Sequence, residues 1–319
     1  MVSDAIRSAL SQSYKNTEVL VVDNASTDTI RDVVASIRDP RLKLFINSRN
    51  LGLFGNFNRC IELAEGKYVH ILHSDDTIEP HFTETCVRFL EVHPSVTMTF
   101  TAAEVLVGGT REDLRLSEND LIFTAPDGFR KILKARNFIV CPSVMIRKSV
   151  YEDLGMFSLE YPFSADYYQW LKISRHYDIA YIADARVIYR QGNHSESFRL
   201  QFSSPTGYLD TQKILIQLLV DLGDERQNFL HDLNTALYIF IRDCLFAGFT
   251  RSDRMKTGNA GIFWGIALGC WGFIAPLNLA EWPKKMAYLP LILGAGLFMQ
   301  VRLIRSFVRM LFRKNDRFY

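Results

Sequence analysis

The sequence predicts an α/β protein with a Rossmann-like, mainly parallel sheet flanked by helices and followed by a C-terminal helical region. Between residues 4 and 200, short apolar runs alternate with helical patterns, which is typical of βαβ units. Beyond residue 205, helical periods continue without strand-like segments. We therefore expect a first domain over residues 1–204 and a helical region over residues 205–319.

The composition narrows the class of protein. Apolar residues make up 48% of the 319 residues and charged residues 23%, which predicts a globular chain with a sizeable core. Lysine plus arginine (37) nearly balances aspartate plus glutamate (35), so the charge gives no reason to expect a nucleic-acid partner. The five cysteines are scattered and no secretory signal is visible, which predicts reduced thiols in a cytoplasmic protein.

The first two strands enclose a helix. One apolar run covers residues 17–26 and ends as a strand at Asp23. The helix has a Ser26 or Thr27 cap, and the second strand covers residues 41–48. This order predicts a parallel pair joined by a helical crossover.

Two further strands each follow a helix. The third strand covers residues 67–74, after a helix that ends at Gly66. The fourth covers residues 96–106, after a helix over residues 79–93. Both helices are amphipathic, so we expect them to pack against the sheet.

Polar side chains follow three of these strands: Asp23, Asn47 to Asn50, and Asp75 with Asp76. In open parallel sheets, ligands bind beyond the carboxyl ends of the strands. The adjacent pair Asp75 and Asp76 suits a divalent cation, because Mg²⁺ and Mn²⁺ prefer carboxylate oxygen and share their remaining sites with substrate phosphates. The same two residues also suit a turn that caps the next helix, and the local pattern leaves both interpretations open.

Three longer stretches resemble one enzyme family. The stretches are IRSALSQSYKNTEVLVVDNASTDTIRDVV (6–34), NLGLFGNFNRCIELAEGKYVHILHSDD (50–76) and HPSVTMTFTAAEV (93–105). In order and spacing they resemble family 2 glycosyltransferases of the GT-A fold, over roughly residues 4–200. The resemblance implies an inverting transfer of a sugar from a nucleotide-diphosphate donor, with UDP the expected nucleotide.

The resemblance also implies a set of nucleotide-sugar contacts. Asp23 matches the aspartate that contacts the base or ribose, and Gly52 would allow the backbone to approach the ligand closely unless it is a simple loop glycine. The residues implied to bind or shape the nucleotide-sugar site are Asp23, Asn24, Ser26, Asp28, Asn50, Gly52, Asn58 and Asp75.

The family's metal-binding D-x-D-D motif falls on residues 73–76. Asp76 matches the metal ligand, and the implied cofactor is Mg²⁺ or Mn²⁺. His73 stands where the family often has an aspartate. Its alternatives are a ligand, a proton-sensitive neighbour of the site, or a packed side chain.

Two further residues are implied on the acceptor side. In the stretch CPSVMIRKSVYEDLGMFSLEYPFSADYYQWLKIS (141–174), Asp166 matches the family's catalytic base, with Ala165 in place of the preceding glutamate. A base there would take the proton of the attacking hydroxyl; the alternative is an acid that stabilises a helix start. His194, in a segment similar to the family's Y-R-x-H, would join the metal or diphosphate site unless it is a solvated loop residue.

The N-terminus departs from the family, whose members begin with a strand of the form V-S-V-I-I-P-T-Y-N in the middle of the sheet. Here only Met1 to Ser3 precede the helix that starts at Asp4. We expect an N-terminally truncated domain, from a start set too far downstream or from a fragment; an impaired protein is the remaining alternative.

The helical region contains two uncharged runs, residues 257–280 and residues 286–301, with basic residues before the first and after the second. The first is long enough to span a bilayer, and the basic, apolar segment 302–318 also suits a helix lying on an anionic membrane surface. A helical lobe packed on the enzyme or on a second subunit is the alternative. We expect association with the cytoplasmic face of the inner membrane.

These features together predict a metal-dependent glycosyltransferase of cell-surface polysaccharide synthesis, acting on a hydroxyl of a glycan or lipid-linked acceptor. A sugar nucleotidyltransferase is one alternative, but the glycine-rich basic loop that such an enzyme needs is not visible near the start. A sugar-nucleotide-binding subunit without activity is the other.

Overall fold

The structure, a computed structural model, describes residues 1–192, 205–251 and 260–273. The chain divides into two compact units, Met1–Arg199 and Leu200–Tyr319. The helices of the first unit are α1 (Val2–Leu10), α2 (Ile30–Ala35), α3 (Leu53–Leu63), α4 (Phe82–Val92), α5 (Asp127–Ala135), α6 (Lys148–Leu154) and α7 (Ala165–His176). Its strands are β1 (Val19–Asp23), β2 (Leu42–Ile46), β3 (Tyr68–His70), β4 (Thr77–Ile78), β5 (Val96–Val107), β6 (Thr110–Leu114), β7 (Leu121–Phe123), β8 (Val144–Arg147) and β9 (Asp178–Gln191).

The four strands expected from the apolar runs are all present. β1 ends at Asp23 as predicted, and β5 covers the whole of the predicted fourth strand. β3 is shorter than predicted, because the chain leaves the sheet after His70 and turns where the Asp76 N–H donates to the His73 carbonyl (3.2 Å).

The sheet is mixed, so the prediction of a mainly parallel sheet is wrong in this respect. Within the described residues, β1 and β2 form a parallel pair, and a separate seven-stranded sheet has the path β3-β8-β5-β9-β4 with β6 on β5 and β7 on β9. Only β5 and β9 run parallel in that larger sheet. The cause is the chain between β5 and β9, which returns through the antiparallel strands β6, β7 and β8 that the sequence did not reveal.

β1 and β3 both lie at the edge of a sheet. Among the described residues, β1 pairs with β2 alone and β3 pairs with β8 alone. The strand expected before Asp4 stays a prediction.

The core lies around β5, whose residues 96–103 are all buried. Phe82 and Leu90 of α4 are fully buried in the cluster that also contains Val187 of β9. Trp170 of α7 is 1% exposed and packs edge-on against Phe157. The large sheet is therefore fixed by helices on its faces, which holds the loops at the strand ends in place.

The second unit is described over three helices, α8 (Thr206–Asp221), α9 (Arg226–Arg251) and α10 (Ala260–Phe273). The Tyr208 ring lies between them, with centroids 6.2 Å from Phe240 and 5.0 Å from Phe263. Gln212 Nε2 donates to the Ile266 carbonyl (3.2 Å). These contacts pack the three helices into one bundle.

Among the described residues, no helix combines the length and the apolar character needed to cross a membrane. The uncharged run 257–280 lies partly outside the described residues, and the run 286–301 and the basic segment 302–318 lie wholly outside them.

Arg147, at the end of β8, joins three elements of the core. Its Nε donates to the Val96 carbonyl on β5 (2.8 Å), its Nη1 to the Tyr68 hydroxyl on β3 (3.0 Å), and its Nη2 to the Leu90 carbonyl near the end of α4. A planar guanidinium can satisfy acceptors in three directions, whereas an ammonium on a flexible stem cannot match this geometry.

We predict that Arg147→Lys lowers the free energy of unfolding by about 1–3 kcal/mol, because buried carbonyls lose their donors. Urea denaturation followed by tryptophan fluorescence measures the change. Arg59→Lys is the matched control, since Arg59 makes an exposed ion pair with Glu62 (2.9 Å) and should change stability by less than about 0.5 kcal/mol. Equal unfolding midpoints for the two variants would contradict the prediction.

Candidate functional site

Asp23 ends β1 as a buried carboxylate with one oxygen engaged. Its side chain is 0% exposed, and Oδ1 accepts a hydrogen bond from the Ser26 N–H (3.0 Å). Oδ2 has no hydrogen-bond partner, and the nearest cation is the Arg31 Nε at 3.9 Å. In the turn from Asp23 to Ser26, Ala25 has a positive φ of 60°. The carboxylate is thus fixed in orientation with one acceptor left for a further donor.

Asn24 joins the end of β1 to the loop before α3. Its Nδ2 donates to Asn50 Oδ1 (2.9 Å) and to the Gly52 carbonyl (3.1 Å), and its Oδ1 accepts from the Leu51 N–H (2.8 Å). Gly52 has φ of +77° and open space around its α-carbon. Three residues predicted for the nucleotide site, Asn24, Asn50 and Gly52, therefore form one hydrogen-bonded loop, in which glycine is needed for its backbone conformation.

Asn47 and Asn56 extend this network; Asn47 was expected only as one of the polar residues beyond a strand end, and Asn56 was not predicted. Asn56 Nδ2 donates to the Val22 carbonyl (3.1 Å), and Asn47 Nδ2 donates to Asn56 Oδ1 (2.8 Å). The Asn47 N–H also donates to the Asp23 carbonyl (2.9 Å). Together they hold the end of β1 against α3. The recurrence of asparagine over residues 47–58 was the available signal in the sequence.

Asp28 and Asn58 have local structural partners. Asp28 Oδ1 accepts from the Ile30 N–H (3.1 Å) at the start of α2. The Asn58 amide donates to the Phe157 carbonyl (2.9 Å) and accepts from the Phe157 N–H (3.0 Å). Asn58 thus ties α3 to the loop that follows α6, and the nucleotide roles of both residues stay predictions.

His73, Asp75 and Asp76 form a second cluster, in the turn between β3 and β4. One potential ligand atom from each residue lies within 4.8 Å of the other two. The Asp76 side chain is 0% exposed; its Oδ1 accepts from the Arg190 N–H (2.7 Å), and its Oδ2 has no hydrogen-bond partner. An orphaned, buried carboxylate oxygen beside two more donors fits a divalent cation.

Burial dominates the electrostatics of this cluster. It raises the pKa of Asp76 to about 8, while the Arg190 N–H lowers this pKa and the Asp75 charge raises it further. Burial also lowers the pKa of His73 to about 4, against the raising effect of Asp75, so the imidazole is neutral at pH 7. Because a nearby cation favours an ionised carboxylate, a bound metal would help to keep the carboxylates of this cluster ionised.

Arg190, at the end of β9, holds this turn in place. In addition to the backbone donation to Asp76, its Nη1 donates to the Asp75 carbonyl (3.0 Å) and lies 3.7 Å from Asp4 Oδ2. In the sequence, Arg190 is recognisable only as the arginine of the Y-R-x-H-like segment that contains His194. His194 itself lies outside the described residues.

Asp166 lies in the first turn of α7. Its Oδ2 accepts from Asn137 Nδ2 (3.0 Å) and its Oδ1 from the Tyr167 N–H (2.7 Å). Burial raises the pKa of Asp166 to about 6, although both hydrogen bonds lower it. The N-cap of the helix is Ser164, so Asp166 is the first-turn acid of the alternative interpretation as well. Its elevated pKa is the property that distinguishes it from an ordinary surface acid.

Cys141 is a free cysteine in the short segment before β8. Burial and the charges of Asp166 and Asp76 all raise the pKa of its thiol. The short 3₁₀ turn Cys141–Ser143 is tied to β3 by His70, whose neutral ring lies 2.8 Å from the Pro142 carbonyl through Nε2. No cysteine motif in the sequence indicated this position.

α3 contacts both the cluster of His73, Asp75 and Asp76 and the end of β1. Asn56 contacts the end of β1, and the next residue, Phe57, stacks on the His73 ring with centroids 5.4 Å apart. Of the predicted site residues, the structure thus brings Asp23, Asn24, Asn50 and Gly52 to one end of α3. It brings Asp75 and Asp76 together in the turn before β4, and it places Asp166 beside Asn137. A site of this kind can bind a nucleotide, hold a cation and accept a proton.

The chain is similar to several known proteins. Residues 1–155 match the model of "Glycosyl transferase family 2". An uncharacterized glycosyltransferase of Haemophilus influenzae is 27% identical over 207 residues, 61% of this chain and 63% of the relative. The Escherichia coli UDP-Glc:alpha-D-GlcNAc-diphosphoundecaprenol beta-1,3-glucosyltransferase WfaP is 28% identical over 179 residues, 53% of this chain and 62% of the relative. Both matches span less than two thirds of the relative's own length.

The fold has a counterpart among solved structures. Staphylococcus aureus TarS 1-349 in complex with UDP-GlcNAc superposes with a TM-score of 0.69 at 20% sequence identity, covering 98% of this chain and 88% of the TarS chain. The α/β core with its mixed sheet therefore has the GT-A fold. The family match to glycosyl transferase family 2 covers just under half of the chain.

We predict that Asn137→Ala raises the pKa of Asp166 above about 6, by roughly half a unit to one unit, because the carboxylate loses a donor that favours its charged form. Titration of ¹³C-labelled aspartate by NMR, with Asp166→Asn to assign the signal, measures the shift. Asn119→Ala, at an exposed asparagine, is the control and should leave this pKa unchanged. An unchanged or lower pKa in Asn137→Ala would refute the assigned hydrogen bond.

Proposed function

We propose that this protein is an inverting glycosyltransferase that moves a sugar from a nucleotide-diphosphate donor to a hydroxyl of a glycan or lipid-linked acceptor. UDP is the proposed nucleotide, Mg²⁺ or Mn²⁺ the proposed metal, and cell-surface polysaccharide synthesis the proposed process. The observation that carries the proposal is the cluster of His73, Asp75 and Asp76, in which the buried Asp76 carboxylate keeps one oxygen without a hydrogen-bond partner.

On the donor side, the free oxygen of Asp23 would accept a hydrogen bond from the nucleoside, and the asparagine loop would form the wall of its pocket. Asp76 and Asp75 would hold the cation, with Arg190 fixing both residues. A divalent cation supplies charge neutralisation for a diphosphate leaving group. The donor is thereby oriented for attack on its anomeric carbon.

On the acceptor side, Asp166 would take the proton of the attacking hydroxyl. With a pKa of about 6 the carboxylate is ionised at pH 7 and still more basic than an ordinary aspartate. Asn137 would hold the carboxylate in place through Oδ2. One base is sufficient for an inverting transfer, because the acceptor oxygen displaces the diphosphate directly.

The named relatives support the choice of substrates. TarS is described with UDP-GlcNAc bound, and WfaP is named for a UDP-glucose donor and a diphosphoundecaprenol-linked acceptor. We extend to this chain a UDP-sugar donor and a lipid-linked acceptor. A lipid-linked acceptor would also place the reaction at a membrane surface, consistent with the basic segment 302–318.

Calorimetric titration with a panel of sugar nucleotides in the presence of Mn²⁺, followed by detection of transferred sugar on a polyprenyl-diphosphate acceptor, tests the proposal. Saturable binding with transfer to the acceptor supports it. Binding without any transfer would favour a sugar-nucleotide-binding subunit instead.

We predict that Asp166→Asn reduces kcat by about 10²–10⁴-fold and leaves the affinity for the UDP-sugar within about twofold, because the amide cannot accept the proton but fills the same space. In the unaltered protein, kcat/KM should fall as the pH drops below about 6, where Asp166 becomes protonated. Asp184→Asn, at an exposed aspartate on β9, is the control and should retain full turnover. Undiminished turnover in Asp166→Asn would contradict the assignment.

A further inference from the structure

The His73 ring presents a nitrogen to the buried carboxylate of Asp76. Nδ1 lies 3.5 Å from Asp76 Oδ2, which is long for a hydrogen bond. Two ligand atoms that each lie about 2.1 Å from one cation stand roughly 3.0–3.4 Å apart in octahedral or tetrahedral geometry. The observed separation is therefore close to that of two atoms sharing a metal ion.

Both side chains have unused polar atoms. Asp76 Oδ2 and His73 Nε2 are buried and have no hydrogen-bond partner. Buried polar atoms are nearly always paired with protein or with a bound group. The two ring nitrogens of His73 point in different directions, and the one that faces Asp76 is Nδ1. The unpartnered Asp76 Oδ2 beside Nδ1 is therefore the observation that indicates a cation at the turn between β3 and β4.

The surrounding structure orients both groups. Phe57 stacks on the face of the His73 ring at an interplanar angle of 29°, so only the ring edge with its nitrogens is directed at neighbours. The Arg190 N–H donates a hydrogen bond to Asp76 Oδ1, and Asp76 Oδ2 faces the imidazole. Groups outside the coordination shell fix metal ligands in this way in many proteins.

We propose that His73 is a metal ligand and that it forms, with Asp75 and Asp76, a site of one nitrogen and two carboxylates that prefers Mn²⁺ to Mg²⁺. The inference rests on the proposed metal-dependent transfer and adds to it a ligand of this chain's own. Imidazole binds transition-metal ions more readily than Mg²⁺, which prefers oxygen ligands alone. A packed or merely neighbouring imidazole would give no such preference.

The test is pulsed electron paramagnetic resonance of the full, metal-stripped chain loaded with Mn²⁺ and UDP. We expect a ¹⁴N coupling from a directly bound imidazole, together with a ³¹P coupling from the diphosphate. Labelling with ¹⁵N-histidine should replace the ¹⁴N pattern without any substitution. This measurement therefore does not depend on a variant that folds.

Variants then assign the nitrogen to one residue. His73→Asn should abolish the ¹⁴N coupling and weaken Mn²⁺ binding about tenfold or more, while Mg²⁺ binding changes less than about threefold. His81→Asn is the matched control, because the His81 side chain is 74% exposed and pairs with Glu84. It should keep both the coupling and the affinity.

The outcomes separate this inference from the proposed function. Bound Mn²⁺ with a ³¹P coupling but no ¹⁴N coupling overturns the role of His73 and leaves the proposed transfer standing. A ¹⁴N coupling that survives His73→Asn and disappears in His194→Asn assigns the nitrogen to His194 and likewise overturns the inference. Failure to bind Mn²⁺ with or without UDP overturns both the ligand and the proposed metal dependence.

Discussion

The burial of the Asp76 carboxylate is the constraint on which the rest of the site depends. A carboxylate with 0% exposure loses its hydration and must be compensated by donors or by a cation. One oxygen is compensated by the Arg190 N–H, and the same arginine binds the Asp75 carbonyl through its side chain. The turn between β3 and β4 is thus fixed by the end of β9, and the remaining oxygen defines where a cation would bind.

Environment separates the roles of the two candidate carboxylates. Burial raises the pKa of Asp76 to about 8, and the charge of Asp75 raises it further. Burial raises the pKa of Asp166 only to about 6, because two hydrogen bonds favour its ionised form. The first suits a site that a metal completes, and the second suits a proton acceptor near neutral pH. Both charges also raise the pKa of the Cys141 thiol.

Local sequence patterns predicted several strands of the fold and the positions of two carboxylates. Apolar runs located β1, β2, β3 and β5, since each is long enough to register as a strand, and Asp23 and Asp76 followed because they stand at or just beyond strand ends. The hairpin strand β6 is exposed at every residue and therefore has no apolar alternation to reveal it. Its absence from the prediction, with that of β7 and β8, made the sheet look more parallel than it is.

The contacts that shape the site were beyond sequence reasoning because they join distant segments. Arg190 and Asp76 are 114 positions apart, and Asn137 and Asp166 are 29 apart, so their pairing depends on how β9 and α7 pack. The stack of Phe57 on His73 likewise joins a helix to a loop. The acidic residues can be read directly from the sequence, whereas the donors that set their pKa values depend on tertiary packing.

The most direct measurement of the central claim is a crystal structure of the chain with UDP and Mn²⁺. We expect the uridine beside Asp23, the metal between Asp76 and the diphosphate, and Asp166 facing the open side of the diphosphate where an acceptor would enter. A nucleotide bound elsewhere, or a diphosphate remote from Asp76, would contradict a single site built from these three carboxylates.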